Sequence, residues 1–224
     1  MGETKAAAVR LPGGEVLDAD LGLVPDATGV VVFAHGSGSG RSSPRNRSVA
    51  HAFHDRRLDT VLVDLLTSAE QTIDERTRHL RFDVGLLAGR LVATVDWLRE
   101  QPWAAELPVG YFGASTGAAA ALIAAAQQPE GIGAVVSRGG RADLAGSLLT
   151  AVRCPTLLIV GGNDPVVLEL NQRALSKLRV EASLEVVAGA THLFEEPGTM
   201  DRVADLAGRW FEEHLVSPSG RSVP

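Results

Sequence analysis

Three residues in this sequence have the types and the order that nucleophilic catalysis needs: Ser115, Asp164 and His192. Ser115 is the centre of Gly113-Ala114-Ser115-Thr116-Gly117. Apolar Pro108-Val109-Gly110-Tyr111-Phe112 precedes it and the Ala-rich run Ala118-Ala119-Ala120-Ala121-Leu122-Ile123 follows. Strand, tight turn and helix in that order make a G-x-S-x-G nucleophile elbow, whose small residues let the backbone bend and lift the hydroxyl to the top of a sheet. A serine alcohol is a weak nucleophile near neutral pH. A histidine must take its proton, and an acid must hold that histidine's tautomer and stabilise its cation.

The partners of an elbow serine follow it as acid, then histidine. Asp164 lies in Gly161-Gly162-Asn163-Asp164-Pro165, just past the apolar run Leu157-Leu158-Ile159-Val160. An aspartate there can also cap the next helix, and position alone leaves the two roles even; the serine and histidine in order favour catalysis. His192 follows the run Leu184-Glu185-Val186-Val187. Of the two histidines beyond Asp164, His214 falls on a terminal amphipathic helix, which leaves His192 as the base. His35-Gly36-Ser37-Gly38-Ser39-Gly40 follows Val30-Val31-Val32-Phe33-Ala34, the place of the second oxyanion donor, so the N–H groups of Ser37 and Thr116 are the expected oxyanion hole. His35 itself reads as a structural hydrogen-bonding histidine. Arg41 stands where a dinucleotide fingerprint would need its third glycine, and no G-K-[ST] follows. No His, Cys or carboxylate cluster has ligand spacing, so neither metal nor cofactor is expected.

These residues must be held by a scaffold, and apolar β-rich runs alternate with helical patterns along the chain. That alternation predicts an α/β fold, a doubly wound, mostly parallel sheet with helices on both faces. The first segments, Ala7–Leu11 and Gly13–Asp18, form an edge hairpin in this reading. Ser43 and Pro44 start a helix. One long helix lies within Ile73 to Glu100, with Val84, Leu87, Leu91, Val95 and Leu98 on one face. A short helix is expected near Ala142 to Leu149, and further helices over Val166 to Leu178 and Met200 to Leu215. Residues 1–216 are expected to form a single domain, with a frayed polar tail over 217–224.

The chain has 224 residues, 45% hydrophobic, which suits one core rather than two. A formal net charge of −6 speaks against binding nucleic acid through phosphates. The single Cys154 cannot form an internal disulfide and reads as a buried structural thiol. No signal-peptide core and no membrane-length apolar run is present, so a soluble cytoplasmic protein is expected, as a monomer or homodimer without membrane or nucleic-acid partners.

The motifs around His35-Gly36-Ser37, Ser115, Gly162-Asn163-Asp164-Pro165 and Thr191-His192 together resemble the dienelactone hydrolase family of the α/β-hydrolase fold, over nearly the whole length. Arg138-Gly139-Gly140-Arg141 and His192-Leu193-Phe194-Glu195-Glu196-Pro197 look like a bacterial subgroup sometimes fused to phosphoribosyltransferase domains. The founding members carry a cysteine nucleophile and a glutamate near the place of Gly36. The serine here implies a serine esterase. Too few residues separate Ala134–Ser137 from Leu157–Val160 for a helical cap domain, which implies an open, shallow site.

Arg41, Arg45 and Arg47 follow the oxyanion loop, and Arg138 and Arg141 follow the strand next to the elbow. Arg41 and Arg138 are candidates for holding a substrate carboxylate or phosphate. The competing expectation, favoured from sequence, pairs these arginines with acids such as Asp64, Glu70, Asp74 or Asp143. The expected function is hydrolysis of small carboxylic esters, lactones or thioesters through an acyl-enzyme. The alternative is an accessory module that keeps the fold without the chemistry.

Overall fold

The computed structural model describes residues 3–215. Its centre is one eight-stranded sheet in the order β1-β2-β4-β3-β5-β6-β7-β8. The strands are β1 (Glu3–Arg10), β2 (Val16–Leu23), β3 (Gly29–Ala34), β4 (Leu58–Val63), β5 (Val109–Ala114), β6 (Ala134–Arg138), β7 (Thr156–Gly161) and β8 (Ala182–Val187). β2 is antiparallel to both β1 and β4; every other pairing is parallel. The expected tail over 217–224 lies outside the described residues.

Strands β3, β4, β5, β6 and β7 are buried along their whole length. This is why they read as continuous apolar runs rather than alternating ones. Helices α1 (Pro44–His54) and α6 (Thr199–His214) cover one face, where Phe33, Phe53, Phe112 and Phe211 pack together. Helices α3 (Val84–Arg99) and α4 (Thr116–Gln127) cover the other face. Ten residues of α4, from Thr116 to Ala125, are buried. Its alanines let that helix lie close on the sheet while α3 packs over it, so the helix is apolar all round.

The chain leaves β3 toward β4, then crosses back to lay β5 on the other side of β3. That reversal is the topological switch point, where the loops after β3 and β5 diverge and open a crevice at the carboxyl edge. The His35–Ser37 loop and Ser115 are the two sides of this crevice.

The long helix expected within Ile73 to Glu100 is two helices. A capping box of Thr67 and Glu70 opens α2 (Ser68–Thr77), and left-handed Arg78 (φ 56°) closes it. A 3-10 turn over Leu80–Phe82 follows, and Asp83 caps α3 by accepting from the Leu86 N–H at 2.9 Å. Ala142–Ala151 is 3-10 rather than α-helical and kinks at Gly146 (φ 59°). Residues 139–155 hold nothing larger between β6 and β7, so no cap covers the carboxyl edge there. α5 (Pro165–Leu175) ends three residues short of the expected Leu178.

Candidate active site

Ser115 sits between β5 and α4 at φ 51°, ψ −121°. Such a backbone is strained for any residue with a Cβ and persists only where the surroundings enforce it. Here they do. A side chain on Gly117 would run into the Ala34 and His35 carbonyl oxygens, and one on Gly113 into the backbone of Gly117 and Ala118. Both motif glycines are therefore required by close backbone approach. Ser115 N–H donates to the Arg138 carbonyl at 3.3 Å, and the Ser115 carbonyl accepts from Arg141 N–H at 3.0 Å. The turn after β6 thus clasps the elbow from outside.

Asp164 and His192 come from the loops after β7 and β8. The Asn163 N–H donates to the Ala190 carbonyl at 2.9 Å, the Asn163 amide donates to the Gly189 carbonyl at 2.9 Å, and a side chain on Gly161 would meet Ala190 and Thr191. These contacts knit the two loops together. His192 Nδ1 then lies 2.7 Å from Asp164 Oδ2, with the aspartate side chain 15% exposed and the imidazole 39% exposed. A carboxylate accepts only, so Nδ1 carries the proton and Nε2 is left as the basic nitrogen. His192 is also packed near Gly139, in the turn that clasps Ser115: a side chain on Gly139 would meet the His192 carbonyl oxygen and approach its ring. Asp164 Oδ1 accepts the Val167 N–H at 3.4 Å, capping α5. The helix cap and the contact with His192, between which position alone could not choose, are both made by this one carboxylate.

The structure brings the two expected oxyanion residues together in an unexpected way. The Ser37 N–H donates to the Thr116 side-chain hydroxyl at 2.9 Å. Thr116 is the first residue of α4, where backbone N–H groups lack an intrahelical acceptor. A side-chain contact across the switch point was not visible in the sequence; two adjacent hydroxyl residues at the elbow were the only hint. His35 accepts the Leu65 N–H on Nε2 at 3.0 Å, so its Nδ1 carries the proton and donates to the Gly36 carbonyl at 3.0 Å. Burial of the ring lowers its proton affinity. His35 thus braces the loop after β3 as a neutral ring, the structural hydrogen-bonding part expected of it.

Two further residues hold the site. Asn171 is fully buried on α5 and donates to the Gly140 carbonyl at 2.8 Å, tying that helix to the β6 turn. Glu196 accepts the Thr191 N–H at 3.1 Å and steadies the histidine loop. Arg41 is occupied by acids: it pairs with Asp64 and lies 3.6 Å from Asp18 and 3.5 Å from Asp20. Arg138 is buried and has its guanidinium 5.9 Å from the Phe194 ring centre. Cys154 is buried away from this chemistry, and burial pushes its thiol up to about 12. Among the described residues no helix is long and apolar enough to cross a membrane.

The profile of the dienelactone hydrolase family matches residues 49–214. The chain belongs to the dienelactone hydrolase family. It is similar to the crystal structure of a dienelactone hydrolase from Anabaena variabilis. That likeness has a TM-score of 0.94 and 54% identity, and covers 96% of this chain and 99% of that one. Est1E from Butyrivibrio proteoclasticus shares the fold at a TM-score of 0.79 and 14% identity, over 96% of this chain and 99% of that one. Two Mycobacterium tuberculosis strains carry a protein provisionally named a phosphoribosyl transferase, 56% identical over 211 residues. The match takes in 94% of this chain but 47% of the mycobacterial protein, so the chain spans about half the length of those relatives. In this dienelactone hydrolase family member the candidate site lies at the carboxyl edge of the parallel strands.

Proposed function

We propose that this hydrolase cleaves small carboxylic esters, lactones or thioesters through an acyl-enzyme on Ser115. The observation that carries the reading is the 2.7 Å bond from His192 to Asp164, taken with a serine held at φ 51° in the elbow. Ser115 Oγ attacks the acyl carbonyl as His192 Nε2 takes its proton. The Asp164 carboxylate stabilises the imidazolium through Nδ1. Collapse of the tetrahedral intermediate breaks the acyl–oxygen bond, or acyl–sulfur in a thioester, and His192 returns the proton to the leaving alcohol or thiol. Water then repeats the sequence on the acyl-enzyme, with His192 again as base.

The developing oxyanion draws on the N–H groups of Thr116 and Ser37. In the resting state Ser37 N–H is held by a neutral hydroxyl. Exchanging that partner for an oxyanion replaces a neutral hydrogen bond with a charge-assisted one, roughly twice as strong. The gain exists only once charge has formed, so it lowers the barrier without tightening ground-state binding. The Thr116 hydroxyl is the placeholder that keeps Ser37 N–H aimed into the site.

Hydrolysis of short p-nitrophenyl esters by wild type and Ser115→Ala, with fluorophosphonate labelling alongside, tests the reading. Activity and labelling are expected in wild type and absent from the variant. A folded wild type with neither supports the accessory-module alternative, and activity that survives Ser115→Ala places the nucleophile elsewhere.

A further inference from the structure

The last turn of α6 carries a second histidine to the opposite edge of the sheet. His214 ends that helix with a side chain only 10% exposed. Its Nε2 is sealed from solvent and has no hydrogen-bond partner among the described residues. Buried polar atoms are almost always satisfied, and one that the chain leaves unpaired calls for a water or an ion. Trp210, one turn earlier, sets its ring centre 4.3 Å from the imidazole and limits how far that ring can turn.

Two carboxylates converge on this nitrogen. Glu181 Oε1 lies 3.8 Å from His214 Nε2, beyond hydrogen-bond reach. Glu213 supplies the other, and one ligand atom from each of the three residues lies within 4.8 Å of the other two. The backbone beneath them is fixed. Glu181 precedes β8, and its carbonyl accepts the Thr156 N–H at 3.0 Å where β7 begins. A side chain on Gly133, just before β6, would run into Leu215 and approach the His214 carbonyl, so the end of α6 is pressed against the same amino edge.

The cluster asks for a cation. An imidazole with its proton on Nδ1 offers a lone pair at Nε2, and ionised carboxylates only accept. The carbonyl end of the 16-residue α6 adds partial negative charge at the same place. A proton on Nε2 would find no acceptor within hydrogen-bond distance. A metal fits the spacing better. Two ligands of a tetrahedral zinc, each about 2.0–2.2 Å from the ion, stand roughly 3.3–3.6 Å apart. Glu181 is 63% exposed on its side chain and needs only a small swing to close 3.8 Å to that range. Imidazole with carboxylates suits zinc and its first-row neighbours, whereas magnesium and calcium take oxygen ligands.

We infer that His214, Glu181 and Glu213 form a binding site for a first-row divalent transition metal such as zinc, at the amino edge of the sheet. Three protein ligands leave a fourth position for water. The ion would tie the end of α6 to the start of β8. The sequence carries no metal-ligand spacing here because Glu181 and the Glu213-His214 pair meet only in the folded chain.

The test titrates zinc chloride into protein freed of metal by EDTA dialysis, near neutral pH, and reads binding by calorimetry and by Tm. Wild type is expected to bind one zinc per chain at this site. Tm should rise by roughly 5–10 °C at about a hundredfold excess over Kd. His214→Ala and Glu181→Gln should each weaken binding by at least about 10–100-fold, the cost of losing even an outer-shell partner. Glu181→Gln alters an exposed side chain and carries the test should His214→Ala fail to fold. Magnesium chloride should leave Tm unchanged, and an equal response to both metals would mark a general effect on acidic surface and overturn the site. Zinc affinity unchanged in either variant places the ion elsewhere, as between His51 and His54, whose rings are 5.6 Å apart, and overturns it too. So does a wild type that binds no zinc. None of these readouts involves ester turnover, so their failure leaves the hydrolase reading untouched.

Discussion

Asp164 holds His192 through Oδ2 at 2.7 Å while its Oδ1 caps α5 at the Val167 N–H. The two functions of this carboxylate can be separated by substitution. Asparagine can still cap a helix, whereas its NH2 group presented to Nδ1 forces the wrong imidazole tautomer. Asp164→Asn should retain wild-type stability within about 0.5 kcal/mol and lose roughly 10³–10⁴ in kcat. Asp164→Ala should lose the same activity and a further ~1 kcal/mol of stability. Chemical denaturation and ester kinetics on the pair decide it. Equal stability of the two variants would show that the cap contributes nothing.

Ser115 carries backbone strain that its hydroxyl makes useful. Strain of this kind costs about 1–3 kcal/mol, and glycine, which adopts φ 51° freely, costs about 0.5–1 kcal/mol in added chain entropy. The strain is the larger figure. Ser115→Gly should therefore be inactive yet melt a few degrees above Ser115→Ala, at roughly 2–4 °C per kcal/mol for a chain of this size. A lower Tm for the glycine variant would mean the turn is relaxed.

The Thr116 hydroxyl receives the Ser37 N–H, and that bond ties the loop after β3 to the start of α4. Thr116→Val keeps the shape and removes the acceptor. The expected result is a fall in kcat of about five- to tenfold, the equivalent of one hydrogen bond, with KM nearly unchanged. Thr116→Ser should stay close to wild type. A rise in kcat for the valine variant would show that the hydroxyl competes with the substrate rather than holding its place.

His35 ties stability to pH. Burial holds its folded pKa below the unfolded value of 6.5, and His54 shifts the same way through burial and the neighbouring His51. The unfolded chain then binds more protons as pH falls below about 6.5, so their contribution is complete above that pH and is lost toward the lower folded values. Asp59, raised by burial, has the opposite sign, and the lowered Glu70, Asp74, Asp143 and Glu196 lose theirs only in the acidic carboxylate range. Melting curves between pH 7 and pH 5 should show a falling Tm whose slope is smaller in His35→Asn. An identical slope would remove His35 from the linkage.

Some features were legible because they are local. The G-x-S-x-G turn, the order of Ser115, Asp164 and His192, and the Ser43-Pro44 helix start each follow from a few adjacent residues and their allowed dihedrals. The buried strands were legible because burial on both faces favours unbroken apolar runs such as Val30–Ala34 and Leu157–Val160, although Asp59, Thr60, Ser137, Arg138 and Thr156 are buried on them too. Less legible was the break between α2 and α3. The apolar stripe from Val84 onward looks continuous with what precedes it, and a single left-handed Arg78 with a capping Asp83 interrupts it.

The sequence by itself determined the fold class, the elbow and the candidate triad, since backbone dihedrals and hydrophobic period are encoded over short stretches. Only the tertiary structure decided which groups meet. It joined Ser37 to Thr116 across 79 positions, gave Asp164 two simultaneous partners, and supplied acids to Arg41, Arg45, Arg47 and Arg141 while leaving Arg138 buried without one among the described residues. Whether an arginine is neutralised depends on which side chains the folded sheet brings within a few ångströms, and chain position carries no measure of that distance.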